Sequence, residues 1–273
     1  MGEMQTITSR QNTRLKTALA LKGRKGRRDQ CRFLAEGLRL LSETKEALEQ
    51  LLELWLAAEK TDLPEYRSWI ETASQLGIPV FVLPQPLFAE LADTETSQGI
   101  VGVLRLPLHD LDRFMGSGRY VGLLADGIQD PGNLGTMIRT AEAMGFSFVL
   151  IPPGTTDPYS EKCVRASMGS IFHIPVVLTD DLLRDIHLLK EARYEMAGAL
   201  LENSTASHEA SFGSRLLLAV GSEGAGITAA VREQLDYAVR IPMTGRVESL
   251  NASAALAMLA YEIQRQALQN AVE

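Results

Sequence analysis

Three short segments of this 273-residue chain carry residue types that can do chemistry, and each follows an apolar run of strand-like character. The first is Asp126-Gly-Ile-Gln-Asp-Pro-Gly-Asn-Leu-Gly135, leading into a helical stretch that contains Arg139. Asp130, Pro131 and Gly132 are turn formers, so Asn133 falls beside a helix N-terminus and Arg139 on the first turns, where either can meet an anion or polar ligand. A helix cap and a solvated surface arginine are the plain alternatives. The second segment is Gly221-Ser-Glu-Gly-Ala-Gly226. Three glycines this close imply positive φ or a near approach of backbone to a ligand, and Glu223 between them can take a hydroxyl or an ammonium group; a simple tight turn also accounts for them. The third runs from Ile241-Pro-Met243 to Ser249-Leu-Asn251, just before a small-residue helix start. Ser249 and Asn251 are both good N-cap types, and one of them suffices for a cap.

These loops need strands to hold them. From Val121 onward, apolar runs alternate with helical patterns: Val121 to Ala125, then Met137 to Met144; Phe148 to Ile151, then Glu161 to Ser167; Ile174 to Leu178, then Leu182 to Ala192. Leu182, Leu183, Ile186 and Leu189 share a helical face behind a cap at Thr179 or Asp180. Leu216 to Val220 and Tyr237 to Ile241 complete a mainly parallel sheet, and a long helix starts near Leu250. In such sheets ligands bind beyond the carboxyl ends of strands, which is where all three segments lie. Upstream, Leu38 to Leu52 has near-helical spacing, Glu53 to Ala57 looks extended, and Tyr66 to Leu76 is amphipathic and ends at Gly77. Val80 to Leu83 and Ile100 to Leu104 read as strands. The chain thus divides into a small α/β domain over 1–106, a linker over 107–118 and a larger α/β domain over 119–273.

Composition bounds the chemistry. With 45% hydrophobic and 22% charged residues the chain is globular, and no apolar run approaches the roughly 20 residues that span a bilayer. No export or transit signal is visible, which places the protein in the cytoplasm and away from membranes. Cys31, Cys163, His109, His173, His187 and His208 have no ligand spacing, so no metal is expected. The glycine spacing is neither a dinucleotide fingerprint nor a Walker A loop, which argues against a nucleotide-dependent oxidoreductase or ATPase. Net charge is −7, but residues 1–40 hold ten basic and three acidic side chains, a balance of +7 that leaves −14 for the rest. The run containing Arg24, Lys25, Arg27 and Arg28, followed by Arg32, suits phosphate contacts to RNA, or else is a solvated basic tail.

Taken together and in this order, Asp130-Pro-Gly-Asn-Leu-Gly135 with Arg139-Thr-Ala, Gly221-Ser-Glu-Gly224, and Ile241-Pro-Met243 with Ser249-Leu-Asn251 resemble the three motifs of the SpoU (TrmH-like) family. Its members are RNA ribose 2′-O-methyltransferases of the SPOUT superfamily. Arg165-Ala-Ser-Met-Gly-Ser-Ile-Phe-His-Ile-Pro175 also resembles the family. Arg32-Phe-Leu-Ala-Glu-Gly37 and Ser97-Gln-Gly-Ile-Val-Gly-Val103 resemble its RNA-binding domain, related in fold to a ribosomal protein. The resemblance covers nearly the whole chain and is greatest to the ribosomal RNA branch. It implies a C-terminal trefoil knot, S-adenosylmethionine bound against Gly221, Glu223, Gly224, Ile241, Met243, Ser249 and Leu250, and a homodimer. It also implies catalytic roles for Arg139, Asn133, Glu223, Ser249 and Asn251, with 23S ribosomal RNA as substrate. The alternatives are a transfer RNA methyltransferase and a non-catalytic RNA-binding or ribosome assembly factor of the same fold.

Overall fold

The computed structural model describes residues 4–94, 96–247 and 249–270. The chain forms two compact units, one of Met1–Pro107 with Tyr159–Phe172, the other of Leu108–Pro158 with His173–Glu273.

The first unit is built on five strands, β1 (Met4–Thr6), β2 (Arg32–Glu36), β3 (Leu51–Ala57), β4 (Val80–Leu83) and β5 (Ile100–Arg105), in the order β1-β4-β3-β5-β2. β1 and β3 run parallel to β4, while β5 is antiparallel to both β2 and β3. Its helices are α1 (Thr13–Ala20), α2 (Arg24–Gln30), α3 (Leu38–Ser42), α4 (Pro64–Gln75) and α5 (Gln85–Leu91). Leu15, Leu34, Trp55, Phe81, Phe88 and Val103 form one core cluster. Asn12 caps α1 by accepting from the backbone N–H of Arg14 and Leu15, and α4 ends where Gly77 turns left-handed at φ 71°.

The basic run does not present all of its charges outward. A Cβ at Gly26 would lie 1.9 Å from the Ala20 carbonyl oxygen, so α2 rests against the end of α1 at a distance only glycine permits. That approach turns the next side chain inward: Arg27 is 5% exposed, and its guanidinium donates to the carbonyls of Leu21 and Lys22 at 2.8 Å each. Arg27 therefore braces the turn between the two helices and, unlike its neighbours in the run, is not presented to solvent for an RNA contact. Arg24, Lys25 and Arg28 remain exposed. Arg32 is half-buried and paired with Glu53 at 3.2 Å.

Residues 159–172, from the middle of the C-terminal sequence pattern, fold with this first unit. They carry helix α7 (Glu161–Ala166), and the Phe33 ring meets Tyr159 and Phe172 at centroid distances of 5.1 and 6.3 Å.

The second unit is a seven-stranded sheet in which every pairing is parallel. Its strands are β6 (Tyr120–Asp126), β7 (Phe148–Ile151), β8 (Val176–Leu178), β9 (Glu195–Ala199), β10 (Thr205–Ala206), β11 (Arg215–Gly221) and β12 (Tyr237–Arg240), ordered β10-β12-β9-β11-β6-β7-β8. Helices α6 (Pro131–Ala143), α8 (Leu182–Glu191), α9 (Ala229–Arg232) and α10 (Ala252–Asn270) complete it, with α10 packed on α6. The near-continuous apolar strands β6 and β11 are buried on both faces, as parallel strands covered by helices must be.

Two local expectations fail here. Asp181, not Thr179 or Asp180, caps α8, accepting from the Arg184 N–H at 3.2 Å, and the register this sets leaves Leu183 52% exposed. The stretch 107–118 is not a bare connector either: it holds a short 3-10 turn, and Leu111 and Phe114 are buried in the core of the second unit. Among the described residues no helix is long and apolar enough to cross a membrane.

Candidate active site

Because β6, β11, β9 and β12 are all parallel, the loops that follow them emerge along one edge of the sheet. Two of these loops are locked together at their base. Asp126 ends β6 directly opposite Gly221 of β11, is 3% exposed, and accepts from the Thr228 N–H at 2.6 Å. Thr155, also 3% exposed, donates to the Ala125 carbonyl and accepts from the Gly127 N–H. Buried polar groups with full partners of this kind make rigid supports. Asp126 begins the first motif segment, but Thr155 does not stand out in the sequence.

The glycine loop closes on itself. Ser222 and Gly226 exchange backbone hydrogen bonds at 2.9 and 3.2 Å, and Gly226 takes φ 67°. A Cβ at Gly221 would lie 2.1 Å from the Gly226 carbonyl carbon, so this position accepts no side chain without moving backbone. Gly224, by contrast, faces open space.

Tight closure projects Glu223 from the loop, and three motif residues converge there. Asn133 donates from Nδ2 to Glu223 Oε1 at 2.9 Å, and Asn251 donates both to Glu223 Oε1 and, at 3.2 Å, to Asn133 Oδ1. The Asn251 Oδ1 accepts from the N–H groups of Ser253 and Ala254 and from the Ser253 hydroxyl, so Asn251 is the cap of α10. Ser249 is thereby excluded from that role and is exposed.

Beside this network opens a cleft of about 660 Å3. Of the residues that the family resemblance implies for the cofactor, Gly221, Glu223, Ile241, Met243, Ser249 and Leu250 line it, whereas Gly224 does not. Sequence reasoning missed a further wall, the loop Ala199 to Asn203 after β9, together with Arg232 and Tyr237. Burial first, and then the Glu195 carboxylate, push the Tyr237 phenol above its ordinary pKa, so it stays a neutral donor. Arg139 does not line the cleft; it stands exposed on α6 and has no hydrogen bond or ion pair among the described residues. No cluster of potential metal ligands occurs among the described residues.

The cleft suits S-adenosylmethionine on its own chemistry. Val220, Val239, Ile241, Met243 and Leu259 supply apolar wall for a nucleobase, and Glu202, Arg232 and Ser249 supply charge and hydroxyl for polar ends.

The SpoU rRNA Methylase family matches residues 120–261, and an MRM3-like substrate binding domain matches residues 12–102. The 23S rRNA (guanosine(2553)-2′-O)-methyltransferase RlmP of Bacillus subtilis (strain 168) is 36% identical over 96% of this chain and 100% of its own length. This chain belongs to the SpoU rRNA methylase family. Among solved SpoU-like structures, the AdoMet-bound rRNA methyltransferase from Sinorhizobium meliloti has a TM-score of 0.85 at 28% identity, covering 97% of this chain and 98% of that one. The SpoU methyltransferase AviRb from Streptomyces viridochromogenes, in complex with AdoMet, has a TM-score of 0.85 at 29% identity over 94% and 99%. SpoU membership makes the chain an S-adenosylmethionine-dependent rRNA ribose 2′-O-methyltransferase, with the mixed α/β domain preceding the all-parallel SpoU domain.

Proposed function

We propose that this SpoU-family enzyme methylates one ribose 2′-hydroxyl of 23S rRNA, in the manner named for its relative RlmP, and that the polar network beside the cleft orients that ribose. The observation that carries this reading is the meeting of Asn133, Glu223 and Asn251, from three separate loops, next to the cofactor-sized cleft.

When bound, S-adenosylmethionine supplies a methyl group on a positively charged sulfur, open to in-line displacement. The chain must hold the hydroxyl in line with that methyl and ease the loss of its proton. Gly221, Ile241, Met243 and Leu250 hold the cofactor. Glu223, fixed by two amide donors, and Ser249 orient its polar end and the ribose. Alignment of two bound reactants can supply on the order of 7–11 kcal/mol. Arg139, exposed on α6 and without a partner among the described residues, holds the phosphate next to the target and stabilises alkoxide charge as it develops. A guanidinium stays protonated under nearly all protein conditions, so its contribution is electrostatic and not proton abstraction.

In this reading residues 1–106 bind RNA through Arg24, Lys25, Arg28 and Arg32, and residues 119–273, apart from the segment 159–172 that folds with the first unit, form a knotted catalytic domain. The enzyme works in the cytoplasm as a homodimer joined through that domain. Support for the dimer comes from α10, where Met258, Tyr261 and Leu268 are 51%, 62% and 61% exposed; a monomeric mass by light scattering in the presence of cofactor contradicts it. Incubation with 23S rRNA, 16S rRNA or transfer RNA and radiolabelled S-adenosylmethionine tests the whole. Label confined to one 2′-O-methylated nucleotide of 23S rRNA is expected. Label in transfer RNA favours the alternative substrate, and RNA binding with no label favours an assembly factor.

A further inference from the structure

A second cleft, of about 340 Å3, lies entirely within the first unit. Its walls include Gly37, Arg39, Leu40, Gln98, Arg165 and Met168, contributed by three distant stretches of chain. Several features show how its surface is held. Met168 is 39% exposed with φ 51°, a left-handed conformation that an unbranched side chain enters only when its surroundings fix it. The surroundings are visible: Gly169 follows at φ 99°, and a Cβ there would lie 2.5 Å from the Glu43 Cγ, so the turn is pinned and Met168 stays at the surface. Arg165 is held by Asp93 at 2.5 Å. Glu36 is occupied by the N–H groups of Asp93 and Thr94 and by the Thr94 hydroxyl. Gln98 accepts from the Leu38 N–H through Oε1 at 2.8 Å, which fixes its amide and leaves its amine without a partner among the described residues. Arg39 is exposed and likewise without a side-chain partner among the described residues.

The cleft therefore presents a thioether, a guanidinium held in place, an amide donor and the exposed cation of Arg39. Sulfur and guanidinium planes both accept an aromatic ring, an amine donates to the acceptor edge of a base, and a free arginine meets phosphate. From this set we infer that the cleft is a subsite for one unstacked nucleotide of the RNA substrate, its base against Met168 and Arg165 and its phosphate near Arg39. The inference rests on the reading of RNA as substrate. A nucleotide seated here fixes the register of the RNA through a base contact, which the basic run on α2, by charge alone, does not.

The test uses the whole chain, the 23S rRNA transcript it methylates, and two variants. Met168→Asn removes the thioether with a residue that tolerates left-handed backbone, and Arg39→Ala removes the exposed cation. Met168→Asn is expected to weaken RNA binding roughly twofold to tenfold, the range of a sulfur–aromatic contact, without altering the slope of log Kd against log salt. Arg39→Ala is expected to weaken binding and lower that slope by about 0.7, one single-strand phosphate contact. In both variants KM for RNA rises, kcat at saturating RNA stays within about twofold, and calorimetric cofactor affinity is unchanged. A photoreactive thionucleotide in the RNA should cross-link to the peptide containing Met168. Unaltered RNA affinity in both variants, or no cross-link to any wall of the cleft, overturns the inference. Failure of the unmodified enzyme to label rRNA overturns instead the reading on which it rests, and the two failures are seen in different samples.

Discussion

Asn251 and Asn133 are 118 residues apart in the chain, yet the amide of one donates to the amide oxygen of the other at 3.2 Å, and both donate to Glu223. Asn251 does two jobs with opposite ends of one side chain, since its oxygen caps α10 while its amine joins the network. The two jobs separate by substitution. Asn251→Asp keeps a capping oxygen but removes the amine and adds a negative charge beside Glu223; methyl transfer should fall at least tenfold with little loss of cofactor affinity. Asn251→Ala should lose about 1 kcal/mol of stability as well, the usual worth of a cap. Equal activity in wild type and Asn251→Asp, by single-turnover assay, contradicts a role for the network in orienting the ribose.

Arg139 offers the sharpest separation of binding from catalysis. It is exposed on α6 and unpaired among the described residues, so Arg139→Ala should preserve the melting temperature. Cofactor affinity should survive too, because Arg139 does not line the cleft. Methyl transfer should drop by about a hundredfold or more, as when one donor to a developing charge is removed. Arg139→Lys should recover little, since a point charge does not reproduce a bidentate fork. Near-normal single-turnover rates for the alanine variant at saturating RNA and cofactor would remove Arg139 from the mechanism.

What is legible in the sequence follows physical lines. Strands β6 and β11 announce themselves because burial on both faces demands unbroken apolar runs, and the glycine and asparagine loops announce themselves because turns and close approach need those residue types. Strand β9 escapes such a reading: Glu195-Met-Ala-Gly-Ala199 has no β-branched residue and no alternation, and the neighbours that pair with it come from Leu216–Ala219 and Tyr237–Val239. With it goes the Ala199 to Asn203 wall of the cleft. The inward turn of Arg27 is equally hidden, because an arginine in a basic run carries no mark of direction; the glycine before it is the available sign. That Asn251 rather than Ser249 caps α10 depends on where the helix begins, which periodicity leaves loose by a residue or two.

The basic segment should accordingly split into two classes. Reversing charge at Arg24, Lys25 and Arg28 together should weaken RNA binding and reduce the log–log salt slope by roughly 0.7–0.9 for each phosphate that is no longer neutralised. Arg27→Ala should leave that slope unchanged and lower stability instead, by about 1–3 kcal/mol, because it strands the Leu21 and Lys22 carbonyls that the guanidinium serves. Filter binding across a salt series, beside thermal melts, reads both effects. A slope that drops with Arg27→Ala, or holds through the triple reversal, contradicts the assignment.

Glu161 makes stability depend on pH in a direction opposite to most carboxylates. Burial, the largest cause, raises its pKa to about 7 from an ordinary 4.5; Lys22 opposes the shift, and hydrogen bonding and repulsion from Asp93, with Glu36 beyond, reinforce it. Asp93 moves the other way: its own burial is outweighed by Arg165 and its hydrogen-bond partners, which hold it ionised. Folding therefore raises the affinity of Glu161 for its proton. The neutral acid contributes fully below about pH 4.5, and that contribution is lost as pH climbs through about 7. Glu161→Gln, which keeps shape and neutrality, should be more stable than wild type at pH 8 by something of order 1–2 kcal/mol and indistinguishable from it near pH 4. Urea denaturation at both pH values checks this. A stability difference that stays constant with pH, or grows toward acid, means that Glu161 is ionised in the folded enzyme at neutral pH and that Lys22 prevails over burial.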